Sequence, residues 1–143
     1  MTTVRPMTAA DLPVVASIFA SHRGESPQEG WSEHLDEMIA SGVALVAEAD
    51  EEVVGYITAA VRGWEFGTSP AGWILGIGVD AEQEGQGVAS ALLQGAAARL
   101  RELGVSTLRT MVRRNDVPIL RLFRSAGFVA GPYTELERNL RIP

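Results

Sequence analysis

Apolar side chains recur along the chain at two different spacings, and these spacings predict where helices and strands lie. A spacing of three to four is clearest between residues 88 and 103, and Gly104 follows it at the position of a C-cap glycine. Another helical pattern follows the sequence Thr8-x-x-Asp11, which resembles a capping box. The predicted helices are the one after this box, residues 31–40, residues 88–103 and residues 118–126.

Short runs of small and β-branched residues lie between these helices and predict strands. Residues 49–52 separate two such runs and predict a hairpin turn. The predicted strands are residues 3–5, 43–47, 53–61, 72–79, 105–112 and one or two within 128–140. Because strands outnumber helices and the order is not a strict β-α-β alternation, the pattern indicates a mixed α/β sheet.

Length and composition restrict the class of protein. The chain has 143 residues, of which 46% are hydrophobic, and this predicts a single domain over residues 1–143. The absence of cysteine excludes disulfides, a thiol nucleophile and cysteine-ligated metal sites. No apolar run approaches the roughly 18 residues of a membrane span, and the first residues lack an apolar signal segment. We therefore expect a cytoplasmic location and no membrane partner.

Charge is distributed unevenly along the chain. The net charge is −6, and all 12 basic residues are arginine. Fourteen of the 18 acidic residues precede residue 98, whereas nine of the arginines follow it. The acidic total argues against nucleic acid as a partner. The distribution leaves room for a cationic substrate at one end and an anionic ligand at the other.

The segment with the most chemical information runs from Gly78 to Ala89, out of a predicted strand, through Gly85 and Gly87, and into a helix. Glycines just before a helix free backbone N–H groups to bind an anion, and pyrophosphate is the natural ligand. A Walker-type loop needs a lysine, which the chain lacks. A dinucleotide fingerprint needs its glycines directly after the strand, and here five residues intervene.

A third type of pyrophosphate site remains. The segment resembles the signature of the GNAT superfamily of acyl-CoA N-acyltransferases, Gln/Arg-x-x-Gly-x-Gly/Ala, which follows a strand ending in valine. Gly87 and Ala89 match the small residues, Val79 matches the valine, and Glu84 occupies the Gln/Arg position.

A second block of the family lies about 40 residues later. Gly127 and Phe128 match its final Gly-Phe, while Asp116 stands where asparagine is usual and Phe123 stands where tyrosine is usual. The predicted order of elements agrees with the family from the first strand to the last. The resemblance therefore covers essentially the whole chain.

The resemblance implies a GNAT-like fold, with a mostly antiparallel sheet splayed between two parallel strands and about four helices. It implies acetyl-CoA as cosubstrate and no metal. The acyl-CoA would lie where the strand ending at Val79 and the strand at 105–112 splay apart. The residues implied in its binding are Ile77, Gly78, Val79, Glu84, Gly85, Gln86, Gly87, Val88, Ala89, Ser90, Asp116, Arg121 and Phe123.

The implied reaction is direct attack of a primary amine on the thioester of acetyl-CoA, which needs a base and an oxyanion donor. The backbone N–H near Val79 is the candidate donor. Glu65 is the favoured base because the two aromatic residues beside it can raise the pKa of its carboxylate. His22, His34 and a chain of water molecules are the alternatives.

Departures from the family motifs leave a second class of function open. In many members the tyrosine at the position of Phe123 protonates the departing sulfur; Phe123 has no hydroxyl, and Tyr133 is the only nearby substitute by sequence. We predict that Glu84 points away from the diphosphate, because two negative charges at close range repel. The alternative to an N-acetyltransferase is a catalytically weak or inactive acyl-CoA-binding sensor, and a purely structural interaction domain is a third reading.

The acceptor amine is left open among a small molecule, a peptide N-terminus and a lysine. Glu29 and Glu33, with Glu37, are four residues apart and predict one acidic helix face that would attract an ammonium group. Arg121, on the helix at 118–126, is a candidate partner for a CoA phosphate. Pairing of two copies through residues 133–140 would form a homodimer.

Overall fold

The computed structural model describes residues 2–143, except for the side chain of Glu65. The chain divides into two compact units, one reaching to Thr110 and the other spanning Met111–Pro143. The expected single domain over residues 1–143 stays a prediction.

The first unit contains one sheet of five strands, which lie side by side in chain order. The first four strands are antiparallel to one another, and the fourth and fifth are parallel. The mixed sheet with two parallel strands is therefore confirmed. The strands are β1 (Thr2–Pro6), β2 (Val43–Ala49), β3 (Glu52–Arg62), β4 (Ala71–Val79) and β5 (Leu108–Thr110).

The predicted hairpin turn joins β2 to β3. Asp50 and Glu51 both adopt positive φ angles, 52° and 66°, as the two central residues of a type I′ turn do. Aspartate tolerates this region better than most residues, and the twist of the turn matches that of the strands. The hairpin therefore forms without the Asn-Gly pair that would mark it most clearly.

The described residues form four α-helices, as the sequence predicts. Apolar residues of α3 such as Leu92 and Leu100 are fully buried, and Leu92 and Val88 approach Gly55 of β3 on one face of the sheet. Val15 and Leu35, from two other helices, form a core with Val46 and Tyr56. The helices are α1 (Leu12–Arg23), α2 (Trp31–Ser41), α3 (Val88–Glu102) and α4 (Val117–Ser125), the last in the second unit.

The predicted capping box ties the start of α1 to β1. The carboxylate of Asp11 accepts hydrogen bonds from the Thr8 backbone N–H at 2.8 Å and from both terminal nitrogens of Arg5 at 2.8 Å. Arg5 also pairs with Glu48 of β2. The hydrogen bonds from Arg5 hold the pKa of Asp11 below its ordinary value. The network joins β1, β2 and α1 at one corner of the first unit.

One strand prediction is too long and another is wrong. The strand expected at 105–112 is only Leu108–Thr110, because Gly104 turns the chain at a φ of 91° and Val105 first packs below the end of α3. No strand occurs among the described residues of 128–140. A strand needs a hydrogen-bonding partner, and neither β propensity nor apolar side chains supply one. The segment instead leaves Val129, Leu136 and Leu140 exposed.

Candidate active site

β4 loses one of its two neighbours halfway along its length. Its parallel pairing with β5 ends at Ile74, opposite Thr110, whose hydroxyl donates a hydrogen bond to the Ile74 carbonyl at 3.1 Å. Beyond this point residues 75–79 pair with β3 alone. The second half of β4 therefore has an open edge within the sheet.

A β-bulge marks the same point on the other side of the strand. Thr58 pairs with Gly76 and Ala59 pairs with Ile74, so Leu75 is an extra residue on β4. A bulge bends its strand and increases the local twist. The bulge and the end of the β4–β5 pairing coincide, which accounts for the splay that the resemblance implies.

The hydrogen-bond pattern shows which backbone groups the open edge presents. The N–H of Asp80 donates to the carbonyl of Val54 at 2.8 Å, which makes this a hydrogen-bonded pair of the antiparallel ladder. Because such pairs alternate, Gly78 and Gly76 also bond to β3, whereas the N–H and C=O groups of Ile77 and Val79 point to the open edge. Their assignment to pantetheine binding and to the oxyanion stays a prediction.

The turn after β4 exposes further backbone N–H groups. Gly85 and Gly87 have φ angles of 79° and 81°, which favour glycine, and a Cβ at either position would meet no atom within 4 Å. Gly87 is the N-cap of α3 and no side chain caps the helix. The first-turn N–H groups, including those of Val88, Ala89 and Ser90, have no acceptor within the helix. They form a surface suited to an anion.

Glu84 is the one acidic side chain that the sequence places within the signature. Its Oε1 lies 3.7 Å from Nδ1 of His22, near the end of α1. Both side chains keep contact with solvent. The carboxylate therefore faces a group that can carry positive charge, and the prediction that it turns from a diphosphate remains to be tested.

An aromatic cluster covers the second half of β4 on the face that carries α1 and α2. Tyr56 of β3 is the cross-strand partner of Gly78, and its ring packs edge-on against Trp31 with centroids 6.3 Å apart. Trp31 in turn contacts Phe19 of α1 at 4.8 Å. Burial raises the pKa of Tyr56 to about 12. The sequence analysis missed Tyr56, although Gly76 and Gly78 alternate on one face and signal a large neighbour above them.

The second unit contains the residues of the other motif. Asp116 caps α4, since its carboxylate accepts a hydrogen bond from the Ile119 N–H at 3.3 Å. Phe123 is buried, with 5% of its surface exposed, and packs edge-on against Phe128 with centroids 4.9 Å apart. Arg121 is exposed. The capping role gives Asp116 a structural reason for its position that is independent of any ligand.

Other predicted residues do not come together as expected. Glu29 lies before α2, which begins after Gly30, so it cannot share a helical face with Glu33 as predicted. Glu33 is in the first turn of α2, and both side chains are exposed. The side chain of Glu65, the favoured base, lies outside the described part of the chain, so its role stays a prediction.

No group of three or more His, Cys, Asp or Glu side chains could hold a metal ion in the described part. None of the helices described is long and apolar enough to cross a membrane.

A known protein family matches most of the chain. Residues 13–128 match the acetyltransferase (GNAT) family. A mycothiol acetyltransferase from Sanguibacter keddieii is 32% identical over 124 residues, which cover 84% of this chain and 39% of that protein. The chain thus spans less than half the length of the curated relatives that it matches.

Solved structures agree with this match at the level of the fold. A transcriptional regulator from Bacillus halodurans has a TM-score of 0.83 and 21% identity, covering 98% of this chain and 100% of the other. An aminoglycoside N-acetyltransferase in complex with CoA has a TM-score of 0.83 and 17% identity, covering 98% and 95%.

Proposed function

Because the chain belongs to the acetyltransferase (GNAT) family, we propose that it transfers an acetyl group from acetyl-CoA to a primary amine. The observation that carries this proposal is the open edge of β4, which leads through a glycine turn into an uncapped helix. The edge presents unpaired backbone groups to an extended chain, and the turn presents N–H groups to an anion. Acetyl-CoA has both parts, a pantetheine arm and a diphosphate.

In the proposed complex the pantetheine arm adds to β4 much as another strand would. Its amide groups bond to the backbone of Ile77 and to the C=O of Val79, on either side of Gly78, which leaves the Val79 N–H for the thioester. The diphosphate accepts hydrogen bonds from backbone N–H groups of the turn and of the first turn of α3, and the helix dipole favours its charge. The residues assigned to the diphosphate are Glu84 through its backbone, Gly85, Gln86, Gly87, Val88, Ala89 and Ser90.

The reaction follows from this placement. The amine nitrogen attacks the thioester carbon, the carbon–nitrogen bond forms, and the carbon–sulfur bond breaks with its electron pair on sulfur. The Val79 N–H at the open edge stabilises the oxyanion, because a fixed backbone dipole there needs no reorganisation. Glu65 or a water chain takes the proton that the ammonium must lose before it attacks, and the second proton leaves the nitrogen of the adduct for water as the carbon–sulfur bond breaks.

The acceptor side of the proposal rests on charge. Glu29 and Glu33 are exposed at the start of α2, where they attract a cationic acceptor even though they share no helical face. Arg121 is proposed to meet a phosphate of CoA, and Asp116 and Phe123 to border the cofactor as their motif positions imply. An aminoglycoside is a reasonable first probe, because a structurally similar protein is an aminoglycoside N-acetyltransferase. An amine related to mycothiol is a second, because a relative of this chain is a mycothiol acetyltransferase.

Two further features complete the proposal. The exposed apolar residues of the C-terminal segment fit pairing between two copies through residues 133–140, which would form a homodimer. An enzyme that uses acetyl-CoA meets its cosubstrate in the cytoplasm, so a cytoplasmic location accompanies the proposed activity.

The activity is tested by release of free CoA from acetyl-CoA with a panel of primary amines. The chain contains no cysteine, so a thiol reagent detects CoA without background from the protein. We expect turnover with at least one amine. Absence of acetyl-CoA binding would contradict the proposal.

A matched pair of variants locates the binding site. Gly87→Ala and Gly104→Ala each place a Cβ at a left-handed residue with open space around it, one at each end of α3. Both should cost about 1 kcal/mol of stability. Only Gly87→Ala should weaken CoA binding, by about tenfold or more, because only that end meets the diphosphate.

The second candidate function is an acyl-CoA sensor, and the observation in its favour is Phe123. A buried phenylalanine cannot protonate a leaving sulfur. Tight binding of acetyl-CoA with no CoA release across the panel would support the sensor and reject the enzyme.

A further inference from the structure

If the proposed transfer takes place, the departing sulfur has no tyrosine donor at the position where the family motif supplies one. The chain contains only two tyrosines, Tyr56 and Tyr133. Of these, Tyr56 belongs to the same unit as the open edge of β4. The position of its hydroxyl therefore determines whether Tyr56 can act as a donor to the sulfur.

The ring of Tyr56 lies across β4 rather than beside it. A Cβ built on Gly78 would approach the ring at 2.6 Å from Cε1 and 3.2 Å from Cζ, and the hydroxyl at 3.3 Å. A Cβ built on Gly76 would lie 3.7 Å from Cε2. The ring thus spans the two glycines and covers the backbone of Ile77 between them. A tyrosine side chain is longer than the roughly 4.8 Å between strands, so its hydroxyl reaches the second half of β4.

The aromatic cluster of Tyr56, Trp31 and Phe19 holds the ring in place but does not enclose the hydroxyl completely. Tyr56 is 4% exposed and packs against Trp31, which packs against Phe19. No buried side-chain oxygen in the described residues lacks a hydrogen-bond partner, and Tyr56 makes no side-chain hydrogen bond to a described residue. Its hydroxyl oxygen is therefore not completely enclosed, and it lies 3.3 Å from the position of a Cβ built on Gly78, in the half of β4 with the open edge. This is a rigid donor with a free proton beside the open edge.

We infer that the hydroxyl of Tyr56 donates a hydrogen bond to the sulfur of acetyl-CoA as the thioester breaks. The inference rests on the proposed function. The sulfur departs with the electron pair of the carbon–sulfur bond, and the hydrogen bond stabilises the thiolate that forms. Tyr56 keeps its proton throughout, and the amine proton passes to the base. The role is that of a catalytic residue, because the hydroxyl touches the reacting sulfur.

The chemistry of Tyr56 favours a hydrogen bond over proton transfer. Burial raises the pKa of Tyr56 to about 12, well above the ordinary value of about 8.5 for a thiol, so a thiolate does not remove its proton. The charge of Arg23, near the end of α1, lowers the pKa of Tyr56, but burial has the larger effect.

The test compares the affinities of CoA and desulfo-CoA for the natural chain and for Tyr56→Phe between pH 7 and pH 9.5. The ratio of the two affinities isolates the sulfur, because every other group of the ligand and of the site is common to both measurements. In the natural chain the ratio should rise by about fivefold or more with pH, since a charged hydrogen bond lowers the pKa of the bound thiol. In Tyr56→Phe, which removes only the hydroxyl, the ratio should change by less than about twofold.

Each outcome decides one claim. Equal pH dependence in both proteins, with both ligands bound, would overturn the role of Tyr56 and leave the proposed function intact. Failure of either ligand to bind the natural chain would overturn the proposed function itself. Loss of the pH dependence in Tyr133→Phe, but not in Tyr56→Phe, would assign the donor to Tyr133 and reject Tyr56. Melting temperatures within about 3 °C of the natural chain would show that each variant is folded.

Discussion

The two halves of β4 have similar sequences and different surroundings. Residues 72–74 pair with β3 on one edge and with β5 on the other, whereas residues 75–79 pair with β3 alone. The bulge at Leu75 separates the two halves. The same strand therefore lies in the interior of the sheet over its first half and has an open edge over its second half, and the bulge lies where the two halves meet.

Glycines in the two halves show the same contrast. A Cβ at Gly72 would meet Leu100 of α3 at 2.9 Å and Leu108 of β5 at 3.0 Å, which are core side chains. A Cβ at Gly78 would meet the ring of Tyr56 at 2.6 Å. Close packing at Gly72 thus supports the fold, while close packing at Gly78 positions a side chain over the candidate site.

The largest effects are expected from alanine substitution of these two glycines, one in each half of β4. Gly78→Ala should reduce kcat/KM with acetyl-CoA by about 100-fold, because the ring of Tyr56 must move by the order of 1 Å. Gly72→Ala should lower the free energy of unfolding by about 1–3 kcal/mol through overpacking, with kcat of the folded protein changed less than threefold. Steady-state kinetics and urea unfolding measure the change in activity and the change in unfolding free energy for each variant. Equal effects of the two variants on kinetics would show that the halves of β4 do not differ in function.

Asp11→Asn tests a part of the first unit outside β4, the network that joins β1, β2 and α1. Its carboxylate holds Arg5 and the Thr8 N–H, so its loss should destabilise the fold by about 2 kcal/mol at pH 7 with kcat unchanged. Because the folded-state pKa of Asp11 is lowered, this stability is present above its ordinary value of 3.8 and disappears as the pH falls below that value. Urea unfolding at pH 7, 4 and 2.5 should show the difference shrinking. A difference independent of pH would show that charge is not its source.

Phe123→Tyr tests whether the open half of β4 already contains a donor for sulfur. We expect kcat to change by less than about threefold in the natural chain, because Tyr56 supplies the hydrogen bond. In a Tyr56→Phe background, Phe123→Tyr should raise kcat by about tenfold. A sharp increase in the natural chain would instead identify the missing tyrosine as limiting. The buried hydroxyl should cost about 1–2 kcal/mol of stability in both backgrounds.

Glu84→Gln has the smallest expected effect, at the turn beyond the open edge. Removal of one negative charge near a diphosphate should tighten CoA binding about fivefold at low ionic strength, with kcat unchanged. Glu82→Gln, in the preceding turn, is the matched control and should change the affinity less. Calorimetric titration at two salt concentrations measures both. Weaker CoA binding in Glu84→Gln would show that the carboxylate, through its contact with His22, orders the turn.

Much of the fold could be predicted from the sequence because local patterns determine it. Helical spacing of Leu92 and Leu100, and the glycines at 85 and 87, correctly predicted α3 and the turn before it. The capping box at Thr8 and Asp11 was predicted for the same reason, since its contacts span only a few residues. The motif positions 77–79 fell on the half of β4 with an open edge.

Features that depend on strands far apart in the chain were not predicted. The bulge at Leu75 exists only relative to β3, and the short length of β5 depends on where it meets β4. Tyr56 was missed because its importance arises from Gly78, 22 positions later, in the register of β3 with β4. The prediction of an acidic helix face that includes Glu29 was wrong, because α2 begins only after Gly30, its N-cap, which has a φ of 94°. Spacing assigns residues to one helical face only where the helix extends that far.

The most direct measurement of the central claim is amide hydrogen exchange of Ile77 and Val79, followed by NMR in the free protein and with saturating acetyl-CoA. Gly76 and Gly78 bond to β3 in both states and serve as internal references. The account predicts that exchange at Ile77 and Val79 slows by about tenfold or more when acetyl-CoA binds, while the references change little. Unchanged exchange at Ile77 and Val79 in the saturated complex would contradict the claim that the open edge of β4 binds the pantetheine arm.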